Sequence, residues 1–384
     1  MRGRRRDTAV RDTAGGDTVT LHDGPAAGDR ADRPSLTTRR RGRATAAVVA
    51  VLVMAAGCGT SSQSGTSGTS SSSSGTAVAS TNTARLVDLG NGRSIYLECR
   101  GSGGPTVVLV TGLGERADNF LITSADRSSE QGSVLPGVAG FTRVCAYDRP
   151  GTATRTEAGF ELSRSTPVST PATVGNSAED LDRLLRASGE SGPYVLVGHS
   201  LGGPIVRLYA AAHPTDVVGI VLIDALSENV IDRLTAGQVA SFEQLNDPVS
   251  QGGPPGSEQD FYATAVVPLL RNAPPVPEVP TVVLSADRWL FTAEVVEAGR
   301  ASGTLPDFVT LEFTDALWAA QLAAQDTLAA TFPGAEHITK TDSTHYIHLD
   351  NPMLVIGSIR KVVDQVRSNP TTGAGPASSS YAAK

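Results

Sequence analysis

The residues best suited to do chemistry in this chain form the run GHSLG at 198–202, in which Ser200 stands close to two glycines. Residues 194–197 before it are apolar and rich in strand formers, and residues 201–212 after it have helical apolar spacing. A sharp turn from a strand into a helix exposes the central serine and directs the N–H groups of the helix at a developing oxyanion. The pattern predicts Ser200 as the nucleophile of an acyl transfer; the alternative is a structural turn in an inactive protein.

Two further runs accompany this turn, YDRPG at 147–151 and HYIHLDNP at 345–352. Together the three runs resemble the α/β-hydrolase superfamily, in particular serine esterases and lipases of the α/β hydrolase-1 type, from about residue 85 to residue 367. The resemblance implies an α/β-hydrolase fold, in which a mostly parallel central sheet carries helices on both faces and a small cap insertion. It also implies a small-molecule ester or related acyl substrate and no cofactor.

A serine hydroxyl is a weak nucleophile until a base takes its proton, and a third group must orient that base. Six histidines are present. His345 lies on the loop after the last predicted strand and just before a helix, where this fold carries its base, so the resemblance implies His345 as the base. His348 is interpreted as a packing or hydrogen-bonding residue, and His199 is expected to point away from Ser200.

Two aspartates compete for the role of the acid. Asp224 ends a predicted strand 24 residues after Ser200, a position that some branches of the family use. Asp287 follows the next predicted strand, which is the commonest position in the superfamily. The run IVLIDA at 220–225 resembles the most similar branch and favours Asp224, with Asp287 as its rival. The carboxylate that is not used is expected to cap a helix or form a salt bridge.

The oxyanion hole is implied by the same resemblance. In this family one backbone N–H of the oxyanion hole comes from the loop after the first buried strand, and the other comes from the residue after the nucleophile. In this chain these positions are Leu113, in the run TGLG at 111–114, and Leu201. Thr111 stands where the family usually has histidine. The glycine pair of this run also fits a plain tight turn, and the two interpretations are compatible.

The charge of the chain is unevenly distributed. The net charge is −7, but residues 1–43 alone carry +5 and the remainder carries −12. A body this acidic argues against nucleic acid as a partner, because phosphates need neutralising cations. The sequence contains no histidine, cysteine or carboxylate cluster with zinc-like spacing and no phosphate-binding loop, so neither a metal nor a cofactor is expected.

The amino-terminal part reads as an export signal followed by a tether. Residues 44–56 are apolar and follow an arginine cluster, but they are too few to span a membrane. The run AAGC at 55–58 resembles a bacterial lipobox, so residues 1–57 are predicted as a leader and Cys58 as a lipidated residue that anchors the chain to a membrane surface. Such an exported lipoprotein of actinobacterial type is one interpretation, and ordinary secretion and an uncleaved anchor are the others. Residues 58–84 are rich in Ser, Thr and Gly and predict a flexible tether.

Two cysteines remain after Cys58, and an even pair in an exported protein suggests a disulfide. Cys99 and Cys145 both lie on predicted strands. The strand order of the α/β-hydrolase fold makes those strands neighbours, so the resemblance implies that the two can be bridged. The alternative is two buried thiols.

The remaining sequence pattern predicts the boundaries of the folded domain, its cap and its tail. A hydrolase domain is predicted at 85–367, with a cap at 225–279 and a disordered tail at 368–384. Because the same fold hosts several chemistries, the substrate stays open. The function expected first is hydrolysis of a carboxylic ester through Ser200, His345 and an aspartate. Peptidase, thioesterase or lactonase activity is the alternative within enzymes, and a surface-anchored binding protein without activity is the alternative outside them.

Overall fold

A computed structural model describes residues 82–156, 159–168, 173–247, 253–254, 257–258 and 265–369. The predictions for the leader at 1–57, for lipidation at Cys58, for nearly all of the tether and for nearly all of the tail lie outside these residues. Within them, no helix is both long enough and apolar enough to cross a membrane.

Eight of the described strands form one sheet. The strands are β1 Thr83–Gly90, β2 Arg93–Arg100, β3 Thr106–Val110, β4 Val144–Tyr147, β5 Ala153–Thr156, β6 Gly159–Leu162, β7 Tyr194–His199, β8 Val217–Ile223, β9 Thr281–Leu284 and β10 Glu336–Ile338. Their order across the sheet is β1-β2-β4-β3-β7-β8-β9-β10, and β5 and β6 form a separate hairpin. Strand β2 is antiparallel to β1 and to β4, and the remaining pairs of the large sheet are parallel.

Helices cover both faces of this sheet. They are α1 Val134–Ala139, α2 Val174–Ser188, α3 Gly202–Ala212, α4 Ala236–Leu245, α5 Val267–Asn272, α6 Ala293–Ser302, α7 Leu311–Ala330, α8 Ile347–Asp350 and α9 Pro352–Ser368. Side chains of α1 and α9 belong to the core layer on one face, and those of α2, α3 and α7 belong to the layer on the other face.

Strand β3 shows how the apolar sequence serves both layers. Val107 and Leu109 lie in the layer with α1 and α9, whereas Val108 and Val110 lie in the layer with α2 and α3. Successive side chains of a strand point to opposite faces, so a parallel strand that is buried on both faces needs an unbroken apolar run. The predicted α/β-hydrolase fold class is confirmed by this sheet and its two helical layers.

The start of the domain differs slightly from the prediction. Strand β1 begins at Thr83, inside the segment 58–84 that the sequence predicts as a tether. Thr83 and Ala84 pair with Cys99 and Glu98 on β2. Backbone pairing extends the strand here, and the polar composition of the segment carries no sign of it. The hairpin of β5 and β6 was likewise not predicted.

The predicted cap at 225–279 lies between β8 and β9. Its described parts include α4 and α5, and also Ser257 and Glu258, which are buried. The insertion therefore reaches the interior of the protein through the Glu258 side chain.

The parallel strands β7, β8 and β9 end side by side. His199 at the end of β7 pairs with Ile223 of β8, which in turn pairs with Leu284 of β9. The residues that follow these strands are thereby brought to one edge of the sheet, where ligand sites of open α/β sheets are usually found. Ser200 and Asp224 each come one residue after such a paired end.

Candidate active site

The turn that carries Ser200 is strained and tightly packed. Ser200 has a φ of +49°, a conformation that costs a residue with a side chain about 1–3 kcal/mol. A Cβ at Gly198 would lie 2.6 Å from the carbonyl oxygen of Gly202, and one at Gly202 would overlap the carbonyl oxygen of Val110. The two glycines are therefore required for the close approach of β7, the turn and α3.

Two backbone hydrogen bonds hold this turn against the end of β8. The N–H of Ser200 donates to the carbonyl oxygen of Ile223 at 3.1 Å, and the N–H of Leu226 donates to the carbonyl oxygen of Ser200 at 2.9 Å. Asp224 lies between these two partners in the chain. The turn of Ser200 and Asp224 thus share one rigid backbone framework.

His345 is bonded to Asp224. Its Nδ1 lies 2.6 Å from Oδ2 of Asp224, and Oδ1 of the same carboxylate accepts the N–H of Ala286 at 3.0 Å. Since Nδ1 is occupied by the carboxylate, Nε2 is the nitrogen left for a reactant. Within the described residues no hydrogen bond links this ring to the hydroxyl of Ser200.

The rival aspartate has other partners. One oxygen of Asp287 accepts the N–H of Ser343 at 2.9 Å and the hydroxyl of Thr341 at 3.3 Å. The N–H of Asp287 donates back to the carbonyl oxygen of Ser343 at 3.1 Å. This carboxylate therefore orders the loop between β10 and His345 and is not bonded to the histidine ring itself.

The environment of His345 favours its protonated form. Burial lowers the pKa of this imidazole, but the hydrogen bond and the negative charge of Asp224 outweigh that effect, and the pKa is raised above its ordinary value of 6.5. The side chain keeps 28% of its surface exposed. A ring held by a carboxylate on one side and open on the other can take a proton from a hydroxyl and return it to a leaving group.

The two predicted oxyanion donors have no hydrogen-bond acceptor in the described ranges of the chain. The carbonyl oxygen of Gly112 accepts the N–H of Glu115 at 3.2 Å, and the carbonyl oxygen of Ser200 accepts two backbone N–H groups. The C=O and N–H of one trans peptide unit point in opposite directions. The N–H groups of Leu113 and Leu201 therefore point away from these bonds, and neither has an acceptor among the described residues.

A second carboxylate–imidazole pair lies beside the first and was not predicted. Nδ1 of His199 is 3.0 Å from Oε2 of Glu115, and Nε2 of His199 is 3.0 Å from the carbonyl oxygen of His345. A carbonyl oxygen only accepts, so Nε2 must donate, and a proton is also needed between Nδ1 and the carboxylate. Burial raises the pKa of Glu115, but the positive charge of His199 and its hydrogen bond lower it below the usual range.

Only one signal in the sequence pointed to this pair. Glu115 directly follows the TGLG run, so an acidic side chain comes immediately after a buried strand and its turn. A charge at such a place is rarely buried without a partner. The expectation that His199 points away from Ser200 agrees with its bonds to Glu115 and to the backbone of His345.

His348 completes this buried group. Its ring packs on Phe120 and His199, with centroids 5.2 and 4.3 Å away, and both of its nitrogens are buried without a hydrogen bond in the described part of the chain. Burial and the charge of His199 place the pKa of His348 well below its ordinary value. By spacing alone Glu115, His199 and His348 could hold a metal ion, but the bond between Glu115 and His199 already occupies two of the three donors.

Cys99 and Cys145 form a disulfide. They face each other directly in the antiparallel register of β2 and β4, with Cα atoms 4.0 Å apart. The bridge fastens the antiparallel edge of the sheet to its parallel part and lies away from the strand ends that carry Ser200 and Asp224.

The comparison with known proteins agrees with this architecture. A family model described as the alpha/beta hydrolase fold matches residues 105–352. An uncharacterized protein of Schizosaccharomyces pombe is 32% identical over 148 residues, which make up 34% of this chain and 26% of that protein. Lipase LipV of Mycobacterium tuberculosis is 35% identical over 83 residues, which make up 21% of this chain and 31% of the lipase.

These curated relatives are matched over a minor part of their length, about a quarter of the first and about a third of the second. Among solved structures, one described as Est816, an N-acyl homoserine lactone degrading enzyme, is 17% identical. The match covers 73% of this chain and 100% of the chain in that structure, with a TM-score of 0.46.

Proposed function

The chain belongs to the alpha/beta hydrolase fold family, and on that premise we propose that it is a serine hydrolase that cleaves a carboxylic ester. The observation that carries the proposal is the 2.6 Å hydrogen bond between His345 and Asp224, beside the strained turn of Ser200. In the proposed triad Ser200 is the nucleophile, His345 the base and Asp224 the acid.

The proposed reaction has two halves. The hydroxyl of Ser200 attacks the ester carbonyl while Nε2 of His345 takes its proton, and the N–H groups of Leu113 and Leu201 stabilise the oxyanion. The alcohol then leaves with the proton from His345. In the second half, His345 activates a water molecule that hydrolyses the acyl-serine and releases the acid.

Asp224 keeps the base in the required form. Its Oδ2 accepts from Nδ1 of His345 and so leaves the lone pair of Nε2 free for the serine proton. Its charge also stabilises the imidazolium that forms during attack. Asp287 has no such part in the proposal, because its carboxylate binds Ser343 and Thr341 and no hydrogen bond joins it to His345 in the described part of the chain.

The test uses the full chain and p-nitrophenyl butyrate. Ser200→Ala is expected to lower kcat by about 10³-fold or more, since the nucleophile is lost. Ser188→Ala is the matched control, because Ser188 is a buried serine at the end of α2 whose hydroxyl bonds only to local backbone. Unchanged turnover in Ser200→Ala would contradict the triad. If a fluorophosphonate labels Ser200 but the ester is not hydrolysed, the proposed substrate changes from an ester to another acyl compound.

We also propose that the enzyme acts outside the cytoplasm, tethered to a membrane surface through a lipid on Cys58. The disulfide of Cys99 and Cys145 supports export, because such bonds persist in oxidising compartments. In a bacterial host, Cys58→Ser is expected to move the protein from the membrane fraction to the soluble fraction, with its activity kept. An unchanged membrane fraction would contradict the lipid anchor.

A further inference from the structure

Arg149 and Glu258 form an ion pair in the interior of the protein. Nε of Arg149 lies 2.6 Å from Oε1 of Glu258, and one Nη lies 2.8 Å from Oε2. Each side chain is 1% exposed. Arg149 follows β4, whereas Glu258 belongs to the predicted cap, 109 residues further along the chain.

The other donors of Arg149 reach the loop after β3. They bond to the carbonyl oxygen of Thr111 at 2.8 Å, to its hydroxyl at 3.0 Å and to the carbonyl oxygen of Gly112 at 2.6 Å. Buried carbonyl groups in a loop are costly without partners. The guanidinium group supplies donors to two successive carbonyl groups of the same loop.

Two hydrogen bonds to the carbonyl oxygen of Gly112, from Arg149 and from the N–H of Glu115, determine where the N–H of Leu113 points. The carbonyl group of Gly112 and the N–H of Leu113 belong to one planar peptide unit and point in opposite directions. Since Arg149 holds the carbonyl oxygen on its own side, the N–H is turned to the other side, where none of the described residues accepts a hydrogen bond from it. The next amide is also fixed, because the N–H of Gly114 donates to Oε2 of Glu258 at 3.1 Å.

We propose that Glu258, acting through Arg149, is a positioning residue for the oxyanion hole, so that the cap insertion holds one of the two catalytic N–H groups in place. This inference rests on the proposed serine-hydrolase function. Glu258 touches no reacting atom: it neutralises Arg149 and binds Gly114 on either side of the Leu113 peptide unit. Without the carboxylate, Arg149 loses its ion-pair partner in the interior, and its hydrogen bond to Gly112 is expected to weaken.

A second Arg–Glu pair provides a matched control. Arg143 binds both oxygens of Glu190 at 3.0 and 2.7 Å, and the side chains are 11% and 14% exposed. This pair lies where β4 and β7 begin, at the opposite edge of the sheet from Ser200. Breaking it removes a similar interaction without disturbing the loop after β3.

The experiment uses the full chain. It measures the rate at which a fluorophosphonate labels Ser200. It also measures KM for p-nitrophenyl butyrate and kcat, the latter expressed per site that the fluorophosphonate can label. Glu258→Gln is expected to lower the labelling rate and kcat by about 10- to 100-fold with KM changed by less than about threefold, because the displaced donor acts only in the transition state. Glu190→Gln is expected to change these rates by less than about threefold.

The double variant Arg149→Met/Glu258→Met separates position from stability. Replacing both members by apolar side chains leaves no buried charge without its partner, but it also removes the arginine donor of the Thr111 carbonyl group. The melting temperature is therefore expected to fall moderately, and the labelling rate is counted per folded molecule. Its labelling rate is expected to be as slow as that of Glu258→Gln. A variant that melts early but labels at the native rate per folded molecule would reveal a role in stability alone.

The outcomes separate the two proposals. If the native protein is labelled and either Glu258→Gln or the double variant is labelled equally fast, the role of Glu258 is overturned, but the serine-hydrolase function is not. Equal slowing by Glu190→Gln overturns it too, since the effect is then general. A native protein whose Ser200 is not labelled at all overturns the serine-hydrolase function, and the positioning role falls with it.

Discussion

Two carboxylate–imidazole pairs lie side by side in this protein, Asp224 with His345 and Glu115 with His199. Both use Nδ1 of the ring, at 2.6 and 3.0 Å from the carboxylate oxygen, and the ring centroids are 4.8 Å apart. They differ in the second nitrogen. Nε2 of His199 is bonded to the carbonyl oxygen of His345, and the His199 side chain is 1% exposed. The His345 side chain is 28% exposed.

In the proposed mechanism, the second nitrogen is what makes the Asp224–His345 pair a catalytic base. The carboxylate alone does not do so, since Glu115 holds His199 as Asp224 holds His345. A base needs a second nitrogen that can reach the reactant. The Glu115–His199 pair uses that nitrogen to fix the backbone of His345, and we interpret it as a support of the proposed catalytic pair.

The largest effect is expected from breaking the proposed catalytic pair of Asp224 and His345. Asp224→Asn should lower kcat by about 10³- to 10⁴-fold, because an amide can hold the ring in the wrong tautomer and cannot stabilise the imidazolium. Steady-state kinetics with p-nitrophenyl butyrate measure this loss, and a thermal melt verifies that the variant is folded. A loss below about tenfold would remove Asp224 from the proposed triad.

The pH profile tests the charge state of the same pair. His345 must be neutral to accept the serine proton, and its pKa is raised above 6.5. The value of kcat/KM should therefore fall as the pH drops, with a midpoint above 6.5, and lose more than about tenfold between pH 8 and pH 5. In Asp224→Asn, the remaining activity should have its midpoint at lower pH. An acid limb below pH 6 in the native enzyme would contradict this environment for His345.

A smaller effect is expected from the supporting pair. In Glu115→Gln an amide can still bond to Nδ1 of His199, so kcat at pH 8 should fall by less than about tenfold. The charge of Glu115 also raises the pKa of His345, so the acid limb should move to lower pH.

Glu130→Gln is the control for Glu115→Gln, because Glu130 is a half-exposed residue bound to Arg100 and its substitution should leave the limb in place. A loss in Glu115→Gln as large as that in Asp224→Asn would make the two pairs equivalent. That result would mean that His199 does more than support the backbone of His345.

The smallest effect is expected at the carboxylate that belongs to neither pair. Asp287→Asn removes a charge that accepts from Ser343 and Thr341, so it should lower the melting temperature. The amide oxygen can still accept these bonds, and kcat/KM should change by less than about threefold. The comparison with Asp224→Asn in the same assay decides between the two aspartates, and a reversed order of losses would exchange their roles.

Much of the site was predictable because it is encoded locally. The strand, the small residues and the helix that form the Ser200 turn are contiguous in the chain, as are the loop and helix around His345. The apolar run at 194–197 likewise predicted a strand, which the structure shows as β7. Local patterns suffice here because steric and hydrogen-bonding requirements of a turn or strand act over a few residues.

The sequence by itself therefore determined the fold class, the candidate nucleophile and the candidate base. It left two aspartates open, because both follow a strand and nothing in the chain says which strand end is closer to His345. Only the order and register of β7, β8 and β9 decided that Asp224 is the one bonded to the ring. The same holds for Glu115 with His199 and for Arg149 with Glu258, which lie 84 and 109 residues apart. Such pairs depend on which elements become neighbours in space, and short-range patterning carries no record of that.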